Sequence, residues 1–411
     1  MLLTRTPLAW CNLTHDPVRF ALFVLGIVFA VVLMCIQLGF RGALLDSQTL
    51  VHERINADLV MISPNRQALA MRETFPRRRL EQAKAVAGVA EVHSLFIDNG
   101  FGVLRNTNPD ASQRTPSRSI RVIGLDPDAM VLNLPELDPR NPDNHIAKLR
   151  ITGTALYDRN SRDDDDTPGA SVFGPLQPGL QTELAKRSIT LVGSFEMGPD
   201  FTSEGALIVS METFADLLRR PYTLGAPLAD VDLGLIRLAP GADRNAVRDE
   251  LRIALSRGER VEDADVEIDT VAELMKREQA FWLSNTPIGF AFGFGMFMGF
   301  AVGLVICYQI LSGDVADHLP EYATLKAFGY TNRYLAWVVL QESLILALVG
   351  YAVGLGISWL LYLGLTEASG LPLRMTFDRA LTVFVATIVM CVVSGMIALL
   401  RLLRADPADV F

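Results

Sequence analysis

Four stretches of the chain carry no charged side chain: residues 20–40, 279–313, 343–366 and 380–400. Each reaches or exceeds the ~20 apolar residues needed to cross a hydrocarbon layer ~30 Å thick. Residues 41–278 are instead dense in Asp, Glu and Arg and hold no further candidate span. The pattern predicts an α-helical membrane protein with four transmembrane helices and an α+β extracytoplasmic domain inserted between helices 1 and 2. In order, the expected parts are an interfacial amphipathic helix (1–18), helix 1 (19–41), the domain (42–280) and helix 2 (281–313). A cytoplasmic loop (314–333), helix 3 (334–364), a short outer loop (365–378), helix 4 (379–403) and a cytoplasmic tail (404–411) follow. The first apolar run is longer than the ~7–15 residues of a signal-peptide core and no small-x-small site follows it, so it reads as an anchor.

Inside the domain the period shortens to that of strands. Segments 56–63, 89–97, 119–125, 188–195, 205–210 and 232–238 read as strands bounded by turn residues. Segments 77–86, 211–219 and 242–256 have helical spacing, and Gly88 stops the first of them. The alternation suits an α+β module, with a split into two lobes as one arrangement. The polar stretch 105–118 and the acidic run 163–166 read as solvated loops; four adjacent carboxylates lack the spacing of a calcium loop. The triplet Arg77-Arg78-Arg79 reads as a solvated helix face, and the acidic segment 249–269 as surface.

Charge and rare residues narrow the function classes. The net charge of −9 argues against a nucleic-acid partner. The four cysteines, Cys11, Cys35, Cys307 and Cys391, all lie outside the domain and show no CxxC spacing, so disulfide and zinc chemistry are not expected. No GxxxxGK[ST] phosphate loop occurs. An enzyme in the domain would need a base from His52, His93 or His145, each of which stands among polar neighbours typical of a wet surface. Arg5, Arg19, Lys326, Arg333, Arg401 and Arg404 flank the spans on the side of the termini. Arg41, Arg374 and Arg379 flank them on the other, so the termini are expected in the cytoplasm.

Two patterns belong to the membrane part. In the second span Gly289, Gly293, Gly295, Gly299 and Gly303 form small-xxx-small steps, and Gly350 and Gly354 repeat the device in the third. Such residues let helix backbones approach closely in lipid, within one chain or between two. Gln341 and Glu342 fall in the cytoplasmic part of the third span, where an acid costs up to ~2.5–3.5 kcal/mol and is expected to be paired or interfacial. The loop between these spans carries Pro320 and Gly329 as start and stop of a short helix. On it Tyr322, Leu325 and Phe328 form an apolar stripe shaped for a partner's groove.

The stretches CYQILSGDVADHLPEYATLKAFGY, QESLILALVG and RADPADVF resemble the DevC family of ABC-exporter permeases, within the FtsX-like, MacB-type group. Further similarity lies in PLAWCNLTHDPVRF, NADLVMISP and LVGSFEMGPDF, so the resemblance runs along most of the chain. It implies a homodimer working with a separate ABC ATPase, which carries ATP and magnesium; no cofactor is expected in this chain. A periplasmic membrane-fusion protein and an outer-membrane channel would complete an exporter for a lipid, glycolipid or other hydrophobic cargo. The resemblance assigns the ATPase contact to Glu321, Tyr322, Leu325, Lys326, Phe328 and Gly329, with Tyr322, Leu325 and Lys326 outward. Relatives of this kind also release lipoproteins or regulate cell-wall hydrolases.

Overall fold

The structure is a computed structural model that describes residues 17–108, 117–142, 144–164, 167–217, 228–256, 265–369 and 373–404. It divides into two compact units, Leu44–Thr286 and the remainder (Met1–Ala43 with Pro287–Phe411). The interfacial helix expected over 1–18 and the tail over 404–411 fall almost wholly outside the described residues.

The first of these units is built on one sheet. Its strands are β1 (Leu59–Ile62), β2 (Phe75–Pro76), β3 (Val89–Asp98), β4 (Val103–Leu104), β5 (Arg118–Ser119) and β6 (Arg121–Leu125). After them come β7 (Thr154–Asp158), β8 (Asp163–Asp164), β9 (Thr167–Ser171), β10 (Gln181–Leu184) and β11 (Arg187–Phe195). The last are β12 (Ala206–Ser210), β13 (Asp230–Val231), β14 (Leu233–Leu238) and β15 (Glu267–Asp269). Eleven of them hydrogen-bond in the order β15-β1-β14-β3-β6-β12-β7-β11-β10-β4-β5. The pairing is antiparallel except at β7–β11 and β6–β12. A single continuous sheet therefore replaces the expectation of two lobes.

Both faces of that sheet are covered, which explains strands that read as unbroken apolar runs rather than alternating ones. In β1, Leu59 and Met61 enter one core with Phe75, Leu80 and Leu251, while Val60 and Ile62 enter the other with Val51, Leu95 and Leu274. The first face is roofed by the helices Arg78–Lys84, Met211–Leu217 and Arg244–Leu255. The last of these starts on Asp243, whose side chain accepts from the Asn245 N–H at 2.9 Å.

Several surface expectations are corrected here. Arg79 is buried, with Nε 2.7 Å from Asp265 and a bond from its guanidinium to the Leu255 carbonyl at 3.0 Å. Within the segment expected as acidic surface, Asp269 is buried beside Arg277 at 2.7 Å. Asp163 and Asp164 belong to the β8–β9 ladder instead of an open loop. Arg79 and Asp269 are interior because each meets an oppositely charged partner, whereas Asp163 stays exposed and Asp164 half-buried.

Among the described residues the other unit contains four helices long and apolar enough to cross a membrane. They are α1 (Pro17–Gln48) and, further on, Pro287–Asp317, Asn332–Ser369 and Phe377–Arg404. Their shared core includes Ile27, Val31, Met34, Leu346, Val383 and Met390. Leu22, Phe290, Phe297, Trp359 and Leu360 remain exposed on the outer faces, as lipid-facing side chains must. The helices overrun the predicted spans wherever nothing breaks them; α1 continues past residue 41 to Gln48. Residues 281–284 do not join the second span, because Asn285 and Thr286 interrupt the helix and Pro287 starts a new one.

Two helices of the domain stand next to these spans in the chain. Helix α2 (Leu50–Arg54) follows α1 after Thr49 alone, and a helix over Val271–Ser284 precedes the second span. The latter opens with a reciprocal cap: Thr270 Oγ1 accepts from the Glu273 N–H at 3.2 Å, and Glu273 accepts from the Thr270 N–H at 2.8 Å. That N–H, more than the Arg248 guanidinium, holds the Glu273 carboxyl down at about 2.

Candidate functional site

The loop between the second and third spans folds as a helix over Leu319–Ala327 with Pro320 in its first turn. Glu321 at its start and Lys326 at its end both oppose the helix dipole favourably. Thr324 donates from Oγ1 to the Pro320 carbonyl at 2.8 Å. The end is a Schellman motif: the Tyr330 N–H donates to the Leu325 carbonyl at 3.1 Å and the Gly329 N–H to the Lys326 carbonyl at 2.9 Å. Gly329 sits at φ +88°, where a Cβ would be strained.

This helix is held to the spans on one side and bare on the other. Leu325 packs on Val315, Leu335, Val339 and Leu399, so its expected outward placement is corrected. Lys326 is half-buried and the side chain of Tyr322 lies outside the described residues. Glu321 is exposed, Phe328 is 78% exposed, and the Tyr330 ring packs tilted at 40° against Tyr334 with ring centroids 4.8 Å apart. Arg19 and Asp317 form an ion pair just before the helix begins. His318 Nδ1, at its N-cap, lies 2.9 Å from the Asp314 carbonyl. The result is a fixed platform presenting an acid and two aromatic rings.

The glycines divide by role. A Cβ on Gly350 would stand 2.5 Å from Ile27, and on Gly354 2.7 Å from Val31, so the third span rests against α1. Likewise Gly295 faces Gln37 at 2.5 Å, Gly299 faces Met34 at 3.3 Å, and Gly303 faces Ala30 at 2.7 Å. Gly289 is buried, whereas Gly293 has nothing within 4 Å. Most of the small-residue pattern is thus used inside one chain. Gln341 is half-buried and Glu342 fully buried.

A charged network in the domain escaped the sequence reading altogether. Asp232, wholly buried, accepts from Arg66 Nη1 at 3.1 Å, from Arg72 Nε and Nη2 at 3.0 and 3.1 Å, and from the Ile97 N–H at 3.3 Å. Arg66 also donates to the Leu69 carbonyl at 3.1 Å. Glu278 accepts from the Leu69 N–H at 2.7 Å and from Trp282 Nε1 at 2.8 Å, and its other neighbour is His52 Nε2 at 3.7 Å. His52 is 1% exposed, which corrects its reading as a solvated residue. Burial, helped by the charges of Arg121 and Arg66, pushes the His52 imidazole down to about 4. Burial likewise pushes the Glu278 carboxyl up against the two donors that favour its charged form. The only signal in the sequence was an acid and a tryptophan one helical turn apart.

Residues 293–407, which include the platform and most of the last three spans, match the family described as FtsX-like permease C-terminal. The chain carries an FtsX-like permease domain. The resemblance read from LPEYATLKAFGY holds at that level. A curated relative, an uncharacterized ABC transporter permease protein of Mycobacterium tuberculosis, is 27% identical over 185 residues. That match covers 44% of this chain and 19% of the relative, so the chain spans about a fifth of the relative's length. Among solved structures, the extracellular domain of the noncanonic ABC-type transporter YknZ from Gram-positive bacteria aligns at a TM-score of 0.35. It has 13% identity and covers 52% of this chain and 100% of that one. The periplasmic region of MacB from Actinobacillus actinomycetemcomitans aligns at 0.36 with 10% identity, covering 54% and 92%.

Proposed function

We propose that this permease is the membrane subunit of an ABC-type exporter, working as a homodimer on a separate ATPase. The ATPase binds ATP and magnesium and docks on the platform of Glu321, Phe328 and Tyr330. Its closure moves the spans, and the spans move the domain, which lies on the far side of the inner membrane from both termini. The cargo class is a lipid, glycolipid or other hydrophobic molecule, handed on through a membrane-fusion protein and an outer-membrane channel as in DevC-type systems. The observation that carries the reading is the fixed, exposed Phe328 inside the FtsX-like match. An aromatic ring held out by a Schellman motif is preorganised for a groove, and preorganisation lowers the entropy cost of binding.

Copurification tests it. A tagged wild-type chain in mild detergent should bring down an ABC ATPase, and Phe328→Ser should cut recovery roughly tenfold or more, as loss of an anchor does, with membrane insertion unchanged. Recovery of the ATPase at wild-type level with Phe328→Ser would remove the docking assignment. Leu325→Asp is the less informative variant, because Leu325 packs on the bundle itself.

A further inference from the structure

The segment joining β1 to β2 is bound at both ends of its path. Towards the sheet, Arg66 and Arg72 converge on Asp232, which also holds the Ile97 N–H of β3. Towards the helix Val271–Ser284, the Leu69 N–H donates to Glu278, and Asn285 Nδ2 donates to Gln67 Oε1 at 3.2 Å. The same Glu278 faces His52 on α2. Only Asn285 and Thr286 separate the Glu278 helix from the second span, and only Thr49 separates α2 from the first. Glu278 thus joins, within the domain, the two helices through which the chain arrives from and returns to the membrane part. It also ties both to β3 of the sheet through a short path of bonds, Leu69 to Arg66 to Asp232 to the Ile97 N–H.

We propose that Glu278 is the positioning residue of a rigid neck, through which movement of the first and second spans reaches the sheet as one displacement. The inference rests on the coupling function proposed above. A buried acid suits the task for a geometric reason. Its two oxygens accept from a backbone N–H on one segment and an indole N–H on its own helix, which fixes the carboxylate plane. An apolar residue would fill the space but leave the Leu69 N–H without an acceptor and free the segment to slide. The guanidinium of Arg66, donating to both Asp232 and the Leu69 carbonyl, then fixes the same segment to the sheet from the other side.

Hydrogen exchange of the full chain in lipid nanodiscs, with its ATPase and with or without ATP and vanadate, reads the neck directly. In wild type, nucleotide should change protection both in the Glu278 helix and in the strands beside it, β1 and β15. In Glu278→Ala the Leu69 amide should exchange about tenfold faster or more, as for a bond that no longer closes. Nucleotide should still alter the Glu278 helix, while the response in β1 and β15 is lost. Trp282→Phe, which removes one donor and keeps the packing, should reduce the response of the strands without abolishing it, and so serves if Glu278→Ala does not fold. Full transmission to β1 and β15 in either variant overturns the neck alone. A wild type in which nucleotide changes protection nowhere overturns the coupling function, and the neck's role with it.

Discussion

The membrane helices and the domain pack differently, although both bury acids, Glu342 and Asp314 among the spans and Asp232 and Glu278 in the domain. Between the spans, backbones approach through Gly295, Gly303, Gly350 and Gly354, and bonds of hydroxyls to carbonyls, such as Ser394 to Leu304 at 2.9 Å, are among those that cross between helices. In lipid there is no hydrophobic drive between helices, so close van der Waals contact must hold them. The domain, folded in water, can afford side-chain bulk in its cores and places full charges among them: Arg66, Asp232, Arg121, Asp200 and Glu278 are all nearly or wholly buried. Contacts of the first kind are shallow in energy and permit sliding. Contacts of the second kind have one good geometry. The proposed function asks for such a difference between a part that moves and a part that is moved as a body.

Breaking the charged network should have the largest effect. Asp232→Ala leaves Arg66 and Arg72 facing one another in the interior, and losing one partner of a buried pair costs about 3–5 kcal/mol. Limited proteolysis of the full chain in detergent should show the domain cleaved far faster than wild type. Unchanged protection would mean that the network adds nothing to rigidity.

Acid should loosen the same region through His52. Its folded pKa of about 4 lies below the ~6.5 of an unfolded histidine, so the unfolded chain binds the extra proton first. Stability is therefore full above about pH 6.5 and falls as pH drops towards 4, by on the order of 3 kcal/mol in total. Glu278, pushed up by burial, has the opposite sign: its contribution is full below the unfolded carboxyl range and lost as pH rises through the folded value. His52→Gln keeps the glutamate and removes the imidazole. The variant should lose less stability than wild type between pH 7 and pH 5, as measured by thermal melts of the full chain. Parallel melts at both pH values would show that the imidazole is not held neutral.

The glycines give the smallest and most local test. Gly350→Leu drives a side chain into Ile27 and should cost about 1–3 kcal/mol of bundle stability. Gly293→Leu meets open space and should leave the bundle as it was. Should Gly293→Leu instead separate a dimer on a sizing column, that glycine lies on the surface between two copies.

The apolar runs made the spans easy to read, because a charge-free stretch of crossing length has few other uses. Strands such as those around Val60, Ile123 and Ile208 were legible from β-branched runs between turn residues, and Gly329 from its position after an amphipathic turn. The short strand β7 was missed although it lies between β12 and β11 near the middle of the sheet. Thr154–Asp158 is too brief to show a period, and its burial comes from neighbours far along the chain. The same reason hid His52, Arg66 and Glu278. A polar residue among polar neighbours looks solvated until the fold brings a distant partner to it. Leu325 was misplaced differently: an apolar stripe on a two-turn helix does not say whether it faces a partner or its own bundle.

The proposed function requires the platform and the domain to lie on opposite sides of the membrane, so that force crosses between them. Two single-cysteine chains, Phe328→Cys and Asp128→Cys, each lacking the four native cysteines, test it most directly with an impermeant maleimide. Labelling of the first only in inverted vesicles, and of the second only in right-side-out ones, is the result expected. Labelling of both from one side would contradict the account.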